Sequence, residues 1–180
     1  MMKIETSLAI SKDGYIADKD GGVGFLDKFN DPSTGKYKKL MKHFSKFLNS
    51  VDILLIGETA YLQMEGWGGF PWTGKDIDVV VLSKKDIKGD RVTSCTCSPE
   101  EFTEKYKNEY KRLFIFGGAY TLKQYLEANL VDKFYYSEVD IELKEGIYLA
   151  TKTEIENKYN MKLKKQYKFD GITENIFVKK

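Results

Sequence analysis

Residues 112–140, RLFIFGGAYTLKQYLEANLVDKFYYSEVD, carry the pattern from which the rest of the chain is read. Leu113-Phe114-Ile115-Phe116 is a short continuous apolar run, the signature of a strand buried on both faces. Gly117 and Gly118 follow, and then Leu122, Tyr125, Leu126 and Leu130 recur at three- and four-residue steps, which predicts a helix. Phe134-Tyr135-Tyr136 closes the unit as a second strand. Strand, glycine pair, helix and strand make a βαβ crossover. The first N–H groups of its helix have no partner and carry partial positive charge. Glycine lets a ligand approach them, so the turn is expected to cradle phosphate.

At 180 residues the chain is long enough to bury a substantial core, and one domain over residues 1–180 is expected. Its 29 basic and 27 acidic residues leave a net charge of +2, which gives no signal for nucleic acid or another polyanion. Arg91 and Arg112 are the only arginines, so bidentate phosphate or base clamps are scarce. No apolar run approaches the roughly 20 residues that span a bilayer, so no membrane partner is expected. The N-terminal MMKIETSLAISKDG has no apolar signal-peptide core, and a cytoplasmic location is expected.

Working outward, Lys3–Ile10 reads as a strand, Lys12-Asp13-Gly14 as a turn, and Tyr15-Ile16-Ala17 as extended chain. Residues 18–35 read as a long loop punctuated by Gly21, Gly22, Gly24, Asn30, Asp31 and Pro32. Asp27 follows Phe25 and Leu26 there, and an acid beside an aromatic is either a proton donor or a solvated loop aspartate. Tyr37, Leu40, Met41, Phe44, Phe47 and Leu48 define one face of a helix over Lys36–Asn49, with lysines on the other. Val51–Ile56 predicts a central parallel strand, ending at Gly57-Glu58-Thr59 before a short helix through Ala60-Tyr61-Leu62. Trp67, Phe70 and Trp72 lie in a glycine-rich loop, where they either pave a ligand pocket or plug a core. Ile77–Leu82 is a third strand, leading into Ser83-Lys84-Lys85. Ser98-Pro99-Glu100-Glu101 is a capping box that opens a helix bearing Phe102, Tyr106 and Tyr110. Past Asp140, Gly146–Ala150 suggests a short strand. Met161–Phe169 and Ile172–Val178 read as a hairpin around Asp170-Gly171.

Cys95 and Cys97 are read as two loop thiols, too close for a disulfide framework and wrongly spaced for zinc. His43 is read as a polar helix residue, and no metal site is expected.

Strands alternating with helices, followed by an antiparallel tail, predict an α/β domain with a mixed sheet. Ligands in such sheets bind outside the carboxyl ends of the strands. Those ends carry Ile10-Ser11, Gly57-Glu58-Thr59, Ser83-Lys84-Lys85 and Gly117-Gly118, so a phosphate-bearing ligand is expected there. The alternative is that these glycines serve only close helix–sheet packing.

SLAISKDGYIAD, IGETAY at 56–61, VVVLSKK at 79–85, and LFIFGGAYTLKQYL followed by DKFYYSEVD resemble the dihydrofolate reductase-like family. They are most similar to the branch that holds the C-terminal reductase domain of riboflavin-biosynthesis deaminase/reductases and its stand-alone relatives. The resemblance implies a three-layer αβα fold, with an eight-stranded, mostly parallel sheet whose C-terminal strand is antiparallel. It also implies NADPH across the strand ends and a cis peptide between Gly117 and Gly118. Carried over, Gly57, Glu58 and Thr59 meet the cofactor at the second strand's helix start, and Leu82, Ser83 and Lys84 lie along its adenosine half. Gly117, Gly118, Ala119 and Tyr120 hold the pyrophosphate, Phe116 and Thr121 are cofactor-binding beside them, and Ala9 and Ile16 border the nicotinamide. Asp27 takes the place of the substrate-binding acid, with Phe25, Tyr61 and Trp72 against a flat substrate.

Three positions depart from the family's pattern. Glu58 stands where many relatives have arginine beside the 2′-phosphate, which leaves NADH open beside NADPH. The loop after Asp20 lacks the tryptophan segment of true dihydrofolate reductases. Residues 141–146, IELKEG, lack the glycine-rich segment of the riboflavin-pathway enzymes. The resemblance thus implies an NADPH-dependent oxidoreductase, like 5-amino-6-(5-phosphoribosylamino)uracil reductase or dihydrofolate reductase, acting on a small pterin- or pyrimidine-like substrate. A non-catalytic nucleotide-binding protein that keeps the fold is the alternative. A homodimer is left open, and a nucleic-acid partner is not expected.

Overall fold

The apolar runs become strands. In the computed structural model, which describes residues 1–29, 35–169 and 171–180, they are β1 (Lys3–Ser11), β2 (Tyr15–Ala17), β3 (Ile53–Gly57), β4 (Asp78–Leu82), β5 (Val92–Cys95), β6 (Arg112–Gly117), β7 (Lys133–Val139), β8 (Ile147–Tyr148), β9 (Met161–Phe169) and β10 (Ile172–Lys179). The helices are α1 (Gly35–Leu48), α2 (Glu58–Gly66), α3 (Pro99–Tyr106), α4 (Ala119–Glu127) and α5 (Lys152–Lys158). Eight strands form one sheet in the order β5-β4-β3-β6-β1-β7-β10-β9, and β2 pairs with β8 separately. The pairs β5·β4, β4·β3, β3·β6 and β6·β1 are parallel, whereas β7·β10 and β10·β9 are antiparallel. This is the mixed α/β sheet expected, with its antiparallel strands at the C-terminus.

The chain divides into two compact units, Met1–Thr6 with Phe47–Val131, and Ser7–Lys46 with Asp132–Lys180. In the first, Ile53, Leu54, Leu55 and Ile56 of β3 are fully buried, as are Leu113, Phe114 and Ile115 of β6. Burying such a side chain contributes about 1.5–3 kcal/mol, so these two strands anchor the unit. The Asp52 carboxylate accepts from the Lys111 and Arg112 amides at 3.0 and 2.9 Å, which pins the start of β6 beside β3. The Ser98 capping box forms as expected: Ser98 Oγ accepts from the Glu101 amide, and the Glu101 carboxylate accepts from the Ser98 amide.

In the second unit the β9–β10 hairpin is closed on its inner side by β7, along which Phe134, Tyr136 and Phe177 are fully buried. Buried Asn175 donates to the Tyr136 and Thr173 carbonyls and accepts from Gln166 Nε2 at 2.7 Å, so its amide is satisfied. His43 is more than a solvated helix residue. Its Nδ1 lies 3.2 Å from Glu174 Oε2, and its ring meets Tyr167 and Phe169 edge-on.

Four features differ from the sequence reading. β5 was not expected, because VTSC is short and polar and shows no apolar run. The long loop contains a 3-10 helix at Gly24–Phe29. The ambiguous stretch after Asp140 holds α5, opened by a Thr151–Glu154 capping box whose T-x-x-E pattern is present in the sequence. Cys95 and Cys97 are not free thiols but a disulfide. The extended end of β5 puts residues two apart on one side, with Cα atoms 5.9 Å apart, within bridging range. The expected turn residues Asn30, Asp31, Pro32 and Asp170 lie outside the described residues.

Candidate functional site

Register gathers the expected cofactor residues of the first unit. Gly57 at the end of β3 pairs with Leu82 at the end of β4, and Ile56 pairs with Gly117 at the end of β6. Glu58, Ser83 and Gly118 therefore leave three neighbouring strands at one level of the sheet. The strand order also reverses here. From β3 the chain moves to β4 and β5 on one side, and from β6 it moves to β7 on the other. The carboxyl ends at such a switch point part to leave a crevice, the usual ligand position in an open α/β sheet.

Two helices begin in that row with no side chain capping them, α2 after Gly57 and α4 after Gly118. Their first N–H groups are therefore available to a ligand. The Gly117–Gly118 peptide is cis, as the resemblance implies, and Gly117 has φ +137°, a conformation that L side chains rarely adopt. A Cβ on Gly118 would meet nothing within 4 Å, so the turn faces open space. Gly57 is hemmed in instead: a Cβ there would sit 3.0 Å from Thr121 Oγ1, 3.7 Å from the Gly118 amide nitrogen and 3.9 Å from the Gly117 oxygen. A backbone cradle open at one end and closed behind by glycine suits an anion such as a pyrophosphate.

The two helix starts differ in charge. The first turn of α4 carries no acid, whereas α2 begins with Glu58. Ser83 Oγ donates to Glu58 Oε2 at 2.7 Å, Lys85 Nζ pairs with Glu58 Oε1, and the Lys85 amide donates to Ser83 Oγ at 2.9 Å. The hydrogen bond from Lys85, followed by that from Ser83, holds the Glu58 carboxyl below its ordinary range, so it is ionised at neutral pH. Lys85 thus compensates Glu58. Lys84 and Thr59 beside them are exposed.

Of the remaining expected residues in this unit, Tyr61 and Trp72 are nearly buried. They belong to a row in which Tyr61 stacks on Phe70 at 5.0 Å and Phe70 on Trp72 at 4.8 Å. Trp72 then meets the Phe116 ring edge-on at 5.2 Å. The row ends on Phe116, one residue before the glycine turn. Trp67 is 56% exposed. Tyr120 is exposed and Thr121 buried in the first turn of α4. The other expected residues sit in the second unit: Ala9 on β1 and Ile16 on β2, both half-buried, with half-buried Phe25 and exposed Asp27 on the 3-10 helix. Sequence reasoning missed the facing of Thr121 and Gly57, residues 64 positions apart that no local pattern links. Among the described residues, no group of three His, Cys, Asp or Glu side chains is placed to hold a metal ion. Among them too, no helix is long and apolar enough to cross a membrane.

No protein-family model matches the chain. Two uncharacterised proteins of Bacillus subtilis (strain 168), YwjB and YyaP, are each 27% identical to it. The matches cover 89% of this chain, and 89% and 86% of theirs. Among solved structures, a Shewanella sp. PV-4 protein provisionally assigned to riboflavin biosynthesis superposes with a TM-score of 0.78 at 21% identity, over 99% of both chains. The Thermotoga maritima diaminohydroxyphosphoribosylaminopyrimidine deaminase/5-amino-6-(5-phosphoribosylamino)uracil reductase matches with a TM-score of 0.72 at 14% identity. That match covers 99% of this chain and 57% of the longer one. Dihydrofolate reductase of Enterococcus faecalis, solved with NADP(H) and RAB-propyl, gives a TM-score of 0.65 at 14% identity, over 98% of this chain and 95% of its own. The chain has the dihydrofolate reductase-like fold.

Proposed function

We propose that the protein is a nicotinamide-dependent reductase acting on a small heterocycle of the pterin or pyrimidine kind. The observation that carries the reading is the glycine cradle, a Gly117–Gly118 turn facing open space at the uncapped, acid-free start of α4. Its shape and polarity fit a dinucleotide pyrophosphate. The reductases that share the fold support it, including one solved with NADP(H). When bound, the cofactor supplies a hydride, and the protein supplies position, exclusion of water and orientation.

The chain's own residues would act as follows. The backbone N–H groups of Ala119 and Tyr120, with Thr121 behind them, hold the pyrophosphate. Glu58, Ser83 and Lys84 lie along the adenosine half, and Gly57 keeps the floor of the cradle low. Phe116, Tyr61 and Trp72 make a rigid aromatic wall beside the glycine turn. Within the second unit, Phe25 and Asp27 share one 3-10 helix, an aromatic beside an acid, and are the candidates for a stacking residue and a proton donor.

Titration of the protein with NADPH and NADH, followed by tryptophan fluorescence or calorimetry, tests the reading. Saturable binding of either cofactor is expected, with its oxidation when a pterin or pyrimidine substrate is added. No binding of either at millimolar concentration would overturn it.

The engagement of Glu58 with Ser83 and Lys85 favours one second reading, a nucleotide-binding protein that keeps the fold without turnover. Under that reading a dinucleotide binds, yet no hydride leaves it across a panel of pterins, pyrimidines and quinones.

A further inference from the structure

We infer that Glu58 makes the adenosine end of this site a reader of the free ribose diol, so that the protein takes NADH and rejects the 2′-phosphate of NADPH. The inference rests on the reading above that the cradle holds a nicotinamide dinucleotide.

The two helix starts in the same row differ in their protons and charges. The start of α4 has no acid in its first turn, and its glycine turn faces open space, as an anion requires. The start of α2 carries the Glu58 carboxylate in its first turn, a negative charge favoured at the positive end of that helix and opposed to a phosphate there. Of the two starts, only α4 is left for phosphate.

The groups beside Glu58 that would otherwise hold a second phosphate are engaged by Glu58 itself. Ser83 has a single hydroxyl proton and gives it to Glu58 Oε2, while its oxygen accepts from the Lys85 amide. The ammonium of Lys85 is paired with Glu58 Oε1. A phosphate here would find a serine with no proton to donate, a lysine already neutralised and a carboxylate of its own sign.

A ribose diol meets the opposite situation. A carboxylate has about four acceptor positions, of which Ser83 and Lys85 occupy two. The remaining two match the two O–H donors of a free 2′,3′-diol, and an acid is the usual reader of that diol in dinucleotide sites. Ionisation of Glu58 at neutral pH makes it an acceptor only. Among the described residues Glu58 pairs with Ser83 and Lys85, so exposed Lys84 is the cation of the Ser83-Lys84-Lys85 run from which a phosphate could gain.

The test compares dissociation constants for NADH and NADPH at one ionic strength, on the full chain as wild type, Glu58→Gln, Glu58→Arg and Lys84→Ala. Wild type is expected to bind NADH at least about tenfold tighter, a difference of about 1.4 kcal/mol. Glu58→Gln should raise NADPH affinity and narrow the ratio, Glu58→Arg should invert it, and Lys84→Ala should weaken NADPH binding more than NADH binding. Melting temperatures of all four proteins confirm that each is folded. Equal or tighter binding of NADPH by wild type overturns the inference and leaves the dinucleotide reading standing. The same ratio in wild type and Glu58→Gln also overturns it. Binding of neither cofactor removes the dinucleotide reading and the inference with it.

Discussion

Gly57 faces Thr121 so closely that a methyl group on Gly57 would sit 3.0 Å from the Thr121 hydroxyl, closer than nearly all real contacts of a Cβ. Both residues belong to helix starts, so this approach sets how near α2 and α4 come at their first turns. Gly57→Val is expected to push α4 back, destabilising the protein by about 1–3 kcal/mol through overpacking. It should also weaken cofactor binding more than Gly118→Ala does, because a Cβ at Gly118 meets no atom within 4 Å. Urea unfolding and a cofactor titration on both variants check the pair. Equal effects of the two substitutions would contradict this geometry.

The two tryptophans give a second contrast. Trp72 is 7% exposed and wedged between Phe70 and Phe116, whereas Trp67 is 56% exposed. Trp72→Ala should destabilise by about 3–5 kcal/mol, the usual loss for a buried aromatic. Trp67→Ala should change stability by no more than about 0.5 kcal/mol. Chemical denaturation of both variants measures the difference.

The two capping boxes are not equivalent. The Glu101 carboxylate accepts from the Ser98 amide, whereas Glu154 Oε2 accepts from the Thr151 amide, the Thr151 hydroxyl and the Tyr148 hydroxyl. Glu154→Ala should therefore cost about 1–2 kcal/mol, and Glu101→Ala less than about 1 kcal/mol. Thermal unfolding in matched buffer orders them, and a larger loss at Glu101 would refute the comparison.

Acid sensitivity should reside partly in the second unit. Burial pulls the Asp13 carboxyl upward, but hydrogen bonds from Ser11 Oγ and from the Lys144 and Leu143 amides outweigh it and leave Asp13 below its ordinary value. The hydrogen bond from Tyr148, then that from the Thr151 amide, lowers Glu154 in the same way. Both carboxyls bind protons less readily folded than unfolded. Their stabilisation is thus full above the ordinary carboxylate range, near pH 4, and is lost as pH falls through the lower folded values. Melting temperature measured from pH 6 down to pH 3 should fall less steeply in Asp13→Asn than in wild type. Identical slopes would rule out an Asp13 contribution.

Much of this protein was legible from local pattern. Continuous apolar runs located β3, β4 and β6, because a strand buried on both faces has no polar positions to hide. Ser98, Pro99 and Glu101 marked the start of α3, because capping is complete within four residues. The glycine pair at the end of β6 marked the cradle before any fold was known, and the family resemblance added its cis peptide. β5 escaped because a short polar edge strand is defined by its pairing with β4, not by its own composition. The Cys95–Cys97 bridge escaped because it depends on that same extended backbone.

The site shows the division most plainly. Glycines, a glutamate, a serine and lysines at strand ends can be named from sequence, because residue type and the strand-to-helix change are both local. That Glu58 would spend its carboxylate on Ser83 and Lys85, residues 25 and 27 positions away, depended on β3 and β4 ending level with each other. Sheet register made that choice. It is a property of two strands together, so neither segment carries it alone, and only the tertiary structure decided that the carboxylate at the start of α2 is taken up by Ser83 and Lys85.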